Sequence, residues 1–179
     1  MAPAVQAPNL PIVGVMGSGE HRHEHLAQPL GTWLARQGVH LLTGGGAGVM
    51  AAVSAAFHSV RDRHGLSIGV LPCQEGSADP PPGYPNPWIE IPIQTHLSRG
   101  STEGTESRNP INILSSAVIV ALPGSLGTSS EVNLARHYGR PIIALVHQRS
   151  DIPDLPREVQ TTEDLDEVKG FVLHHLQRA

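Results

Sequence analysis

The chain predicts an α/β fold: one domain with a mostly parallel sheet of about six to seven strands between helix layers. Three observations point there. Short apolar runs alternate with helical patterns along the chain. The runs are uniformly apolar rather than alternating, as expected of strands buried on both faces. Glycine-rich turns follow several of them, at Gly17-Ser18-Gly19, Thr43-Gly44-Gly45-Gly46-Ala47-Gly48 and Pro123-Gly124-Ser125-Leu126-Gly127-Thr128.

The elements follow in order. Residues 1–10, rich in Ala and Pro, read as a flexible tail before a Rossmann-like domain over 11–179. Ile12 to Met16 reads as the first strand. Leu26, Leu30, Trp33 and Leu34 form a helical stripe within Glu24 to Gln37, and Gly38 is a natural stop. Val39 to Leu42 is a strand, Val49 to Val60 a helix of small residues, and Leu66 to Leu71 a third strand. The Pro- and Gly-dense stretch from Pro72 to Pro87 is loop, and Pro80 to Trp88 is expected to serve as a lid or as an oligomer contact. Trp88 to Ile93 reads as a strand and residues 94–106 as loop. Ser107 to Ser116 reads as a helix with Pro110 in its first turn, where proline is tolerated. Ala117 to Leu122, Ser129 to Tyr138 and Pro141 to Val146 make strand, helix and strand. After a polar connection, Val159 to Thr161 is a last short strand, and Leu165, Val168, Val172 and Leu176 mark a closing helix.

Bulk properties bound the function. The 179 residues suit one domain with a real core. A formal net charge of −4 without a basic block argues against nucleic acid or an anionic membrane as partner. No apolar run approaches membrane-spanning length, and the N-terminus lacks a secretory pattern. The single Cys73 excludes an internal disulfide framework and fits a reducing compartment. A soluble, cytoplasmic protein is expected.

In parallel sheets ligands sit beyond the carboxyl ends of the strands. The turns at Gly17 to Gly19, Gly44 to Gly48, Cys73 and Gly124 to Thr128 therefore share one rim. The strand 117–122 runs through Gly124, Ser125, Gly127, Thr128 and Ser129 into a helix, and free N–H groups at a helix start favour a phosphate. Gly127, Thr128 and Ser129 are candidate phosphate donors. Gly17, Ser18, Gly44, Gly45, Gly46 and Gly48 allow the main chain close to a ligand. The Arg108 guanidinium suits a phosphate, or Glu131. Glu131, in the first helical turn, holds polar groups of the ligand or acts on a bond. His21, His23 and His25 alternate with Arg22 and Glu24 and read as solvated histidines, so no metal site is expected. NAD is not expected. Arg22 and Val49 stand where the third glycine of a dinucleotide fingerprint belongs, and no acidic residue ends the second strand. The only lysine, Lys169, lies in the closing helix, which excludes a Walker loop.

Three ordered motifs carry a family resemblance: Thr43 to Met50, Ser107-Arg108-Asn109, and Pro123 to Glu131. Together they resemble the LONELY GUY, or lysine decarboxylase-like, superfamily over roughly residues 11–147. Its enzymes are phosphoribohydrolases that release a base from a nucleoside 5′-monophosphate. Asn109 stands where those enzymes carry lysine, and Ser125 where they carry glycine. The wording Ser107 to Ser116, with Gly14-Val15-Met16-Gly17, looks more like molybdenum cofactor carrier proteins, relatives that bind a pterin monophosphate bearing molybdenum. The resemblance implies a carrier with molybdenum cofactor as cargo, contacting Asn109 and Arg108 besides the glycine turns. Its alternative is a hydrolase in which Arg108 orients the sugar and Glu131 stabilises positive charge. It also implies a homo-oligomer, dimer or tetramer.

Overall fold

The computed structural model describes residues 9–99 and 106–177. Most of the expected tail, and the stretch 100–105 of the expected loop, lie outside the described residues. Seven strands form one sheet in the order β4-β3-β2-β1-β5-β6-β7. They are β1 Ile12–Met16, β2 His40–Thr43, β3 Ser67–Leu71, β4 Ile91–Gln94, β5 Val118–Ala121, β6 Ile142–Leu145 and β7 Gln160–Thr162. Every neighbouring pair is parallel, with Val13 beside Leu41 on one side and beside Val118 on the other. The helices are α1 Glu24–Leu34, α2 Val49–Ser59, α3 Asn109–Ser115, α4 Leu126–His137 and α5 Leu165–Leu176.

Side-chain alternation along each strand divides the core into two. Val13, Val15, Leu41, Val118, Val120, Ile143 and Leu145 pack against α1, α2 and α5. Met16, Leu42, Ile119 and Ala144 point the other way, where Ile113 of α3 and Val132 and Ala135 of α4 meet them. The uniformly apolar strands are thus explained by cover on both faces. Gly31 brings α1 close to α2, since a β-carbon there would stand 3.0 Å from Ala56 Cβ.

Several boundaries move. α4 begins at Leu126, not Ser129, because Ser125 is the extended N-cap residue and Ser129 N–H already donates to Ser125 O at 3.0 Å. Gly127 and Thr128 are therefore helical, and Glu131 falls in the second turn rather than the first. The fourth strand starts at Ile91, because Asn86 organises a turn that takes the N–H groups of Trp88 and Ile89. It is an edge strand, exposed along its length, and tolerates Pro92 for that reason. Among the described residues, no helix is long and apolar enough to cross a membrane.

Gly48, the N-cap residue of α2, has φ 61° and ψ −133°, and a β-carbon there would run into Ser18 O. Gly127 has open space around it inside α4. Gly48→Ala is expected to lower unfolding free energy by more than about 2 kcal/mol, because backbone strain and a main-chain clash combine. Gly127→Ala is expected to leave it unchanged or raise it by less than about 1 kcal/mol. Urea denaturation of both variants checks the contrast.

Candidate functional site

Strand order reverses between β1 and β5, and a crevice opens beyond their carboxyl ends, where α/β folds bind ligands. Main-chain hydrogen bonds build its floor. Ser18 N–H donates to Pro123 O at 2.9 Å, Val49 N–H donates to Ser18 O at 2.8 Å, and Gly124 N–H donates to Asp151 O at 3.0 Å. The Ser18 hydroxyl accepts the N–H groups of Glu20 and His21, at 3.1 and 2.9 Å, and so holds the loop that leads to α1. The resulting cavity measures about 920 Å³ and takes in Gly17, Ser18, Arg108, Asn109, Gly124, Ser125, Gly127, Thr128 and Glu131.

Gly44, Gly45, Gly46, Gly48 and Ser129, also expected at the ligand, are not among the residues that line this cavity. The glycine loop instead lets other side chains reach the cavity. A β-carbon on Gly44 would stand 2.7 Å from Arg108 Nη2 and 2.9 Å from Met50 Sδ, and one on Gly46 would stand 2.6 Å from the Tyr84 ring. Cys73 lies outside the cavity, with its thiol donating to His96 O at 2.9 Å.

Arg108 is the N-cap residue of α3 and only 4 % exposed. Its main chain is engaged, N–H to Ser98 O and carbonyl to the N–H groups of Ile111 and Asn112. Its Nε and Nη1 are buried without a hydrogen-bond partner among the described residues. Glu131 faces it from α4, 8 % exposed, and Asn112 Nδ2 donates to Glu131 Oε1 at 3.1 Å. Burial lifts the Glu131 carboxyl above the ordinary glutamate range, against the opposing pull of the Arg108 charge and the Asn112 hydrogen bond. Among the described residues, no ion pair joins Arg108 to Glu131. The guanidinium is thus a buried cation that needs an anion. Beside it the N–H groups of Leu126, Gly127 and Thr128, first in α4, precede the first i to i−4 bond.

The sequence left several lining residues unmarked: Met50, Tyr84, Arg99, His147, Asp151 and Glu163. Asn112 was legible in principle, four residues beyond Arg108 and hence on the same side of a helix. The exposed His21 and His25 and the half-buried His23 line part of the cavity, with ring centroids 6.0 and 6.4 Å apart along the series. His23 sits in the left-handed region at φ 41°, and burial together with its two histidine neighbours pushes its imidazole down. The Glu163 carboxylate, 2.6 Å from His147 Nδ1, pushes that imidazole up. Among the described residues, no group of three or more His, Cys, Asp or Glu side chains is arranged to hold a metal ion.

Residues 10–172 match the SLOG cluster4 family. The chain belongs to that family. Two solved structures resemble this family member along nearly their whole length. The molybdenum cofactor binding protein of the phototrophic bacterium Rippkaea orientalis is 32% identical, with a TM-score of 0.74 over 93% of this chain and 98% of that one. The Moco carrier protein of Chlamydomonas reinhardtii is 29% identical, with a TM-score of 0.70 over 95% and 99%. An uncharacterised protein of Archaeoglobus fulgidus is 28% identical over 135 residues, 74% of this chain and 78% of that one. The resemblance to carriers in the motif around Arg108 thus extends to the whole fold.

A carboxyl raised in the folded state favours folding while protonated, and that contribution is lost as pH rises from the unfolded value through the folded one. The unfolding free energy of the unliganded protein, measured relative to Glu131→Gln, is expected to fall as pH rises above about 4.5, approaching about 1.4 kcal/mol per pH unit until Glu131 ionises. Urea denaturation of both proteins from pH 4.5 to 8 checks this; parallel curves would contradict it.

Proposed function

We propose that this protein is a carrier that binds molybdenum cofactor, a pterin monophosphate bearing molybdenum, and holds it without chemical change. The observation that carries the reading is the buried Arg108 guanidinium, whose Nε and Nη1 have no partner among the described residues and which lines the same cavity as the N-terminus of α4. In this reading the phosphate lies between them, taking hydrogen bonds from Arg108 Nε and Nη1 and from the N–H groups of the first turn, with the helix dipole adding attraction. Gly124, Ser125 and Asn109 complete the seat, and Gly17 and Ser18 form its wall. The likeness to the two carrier proteins supports pterin cargo over other phosphate-bearing ligands.

The state of Glu131 also favours holding over cleaving. Stabilising a developing sugar cation asks for an ionised carboxylate. Burial shifts the Glu131 carboxyl upward, against the pull of Arg108, and its Oε1 already accepts a hydrogen bond from Asn112 Nδ2.

Arg108→Met replaces a buried cation by an apolar side chain of similar reach. Without ligand the variant is expected to melt at the wild-type temperature or above, since an uncompensated buried charge is removed. Its retention of molybdenum cofactor, followed as molybdenum remaining after gel filtration, is expected to fall at least tenfold, because each lost charged hydrogen bond contributes about 1.5–3 kcal/mol. Undiminished retention would sink the phosphate seat. Base release from a panel of nucleoside 5′-monophosphates, abolished by Glu131→Ala, would replace the carrier reading with a hydrolase.

A further inference from the structure

Tyr84 belongs to the proline-rich stretch between β3 and β4, which the phosphate seat does not use. The stretch is nevertheless tied to the glycine loop. Asn86, 5 % exposed, donates from its N–H to Gly45 O at 2.8 Å and from Nδ2 to Gly46 O at 2.9 Å. Those two bonds set the Tyr84 ring against Gly46, so closely that a β-carbon at Gly46 would stand 2.6 Å from ring Cζ. The ring is half-buried and lines the same cavity as Arg108 and Met50. Its hydroxyl makes no hydrogen bond among the described residues. The exposed Arg99 guanidinium lies over the ring, Cζ 5.0 Å from the centroid, and lines the cavity too.

An aromatic face clamped by a buried amide, next to the Met50 thioether, and already covered by one flat π-system is chemically a stacking platform. Its position relative to the phosphate seat is fixed by the glycine loop. Gly44 backs Arg108 and Gly46 backs Tyr84. These glycines are two residues apart, a span of at most about 7 Å. A ligand with a flat ring on a short phosphate-bearing arm can therefore engage both.

We propose that Tyr84 is the stacking platform for the ligand's fused nitrogen heterocycle, which takes the place on the ring now held by the Arg99 guanidinium. The inference rests on the reading above that the cavity takes a phosphate-bearing ligand, and it adds what recognises the other end. Pterins and purines share this ring chemistry, and suitable probes separate them.

The test uses ring compounds without phosphate, 6-hydroxymethylpterin followed by its fluorescence and adenosine followed by calorimetry, with inorganic phosphate titrated in parallel. Tyr84→Phe keeps the π face and loses only an unbonded hydroxyl; it is expected to bind the ring probe within twofold of wild type. Tyr84→Leu keeps an apolar group over Gly46 without a π face; it is expected to weaken the ring probe at least fivefold and to bind phosphate as the wild type does. Loss toward the pterin alone identifies a pterin platform, and loss toward adenosine alone a purine one. A Leu variant equal to wild type toward both probes, or a wild type that binds neither, overturns the proposal. Absence of phosphate binding in every protein, with the ring contrast intact, would instead sink the phosphate seat and leave the platform standing.

Discussion

The main-chain junction at Ser18 is the constraint on which the site depends. Its N–H reaches across the strand-order reversal to Pro123 O, while its carbonyl receives the first N–H of α2. One residue thereby ties the loop after β1 to the loop after β5 and to the glycine loop after β2. The bond from Gly124 N–H to Asp151 O adds the loop after β6. Because backbone performs this locking, side chains at the crevice are free for a ligand. The same locking explains the small residues around it. Gly17 leaves room for Val49, and Gly124 for Thr128 and for the Ser18 N–H itself.

On that floor sits an electrostatic arrangement that the described side chains do not balance among themselves. A buried charge or a buried donor without a partner lowers stability. Arg108 presents both, and Glu131 does not form an ion pair with it. The neighbouring Asn112 is fully buried, and its Oδ1 has no partner among the described residues either. A ligand that brings an anion would complete this polar pair of helices, α3 and α4, and stabilise the protein by its binding free energy. In the proposed reading the site is preorganised for an anion.

The architecture was legible because its signals are local and repeated. Uniform strands announce two-sided cover, and glycines after strands announce the ligand edge. Arg108 and Thr128 were legible from the type of residue at the start of a helix; Glu131, in the second turn of α4, was legible only from its place in the motif. The start of α4 was misplaced because Gly127 and Thr128 have turn character, whereas the extended Ser125 makes them helical. The glycine loop, expected to approach a ligand, also leaves room for Arg108, Met50 and Tyr84. Tyr84, Arg99 and His147 carry no periodic signal and reach the cavity only through loops whose paths depend on single buried bonds such as those of Asn86. His21 and His25 are exposed as expected, whereas His23 is half-buried. Their place along the cavity follows from the Ser18 hydroxyl and the left-handed turn at His23.

A crystal structure of the protein bound to molybdenum cofactor tests the central claim most directly. The account predicts the phosphate within hydrogen-bond distance of Arg108 Nε and Nη1 and of the N–H groups of Gly127 and Thr128. A cofactor bound elsewhere, with the Arg108 guanidinium still buried and unpartnered, would contradict it.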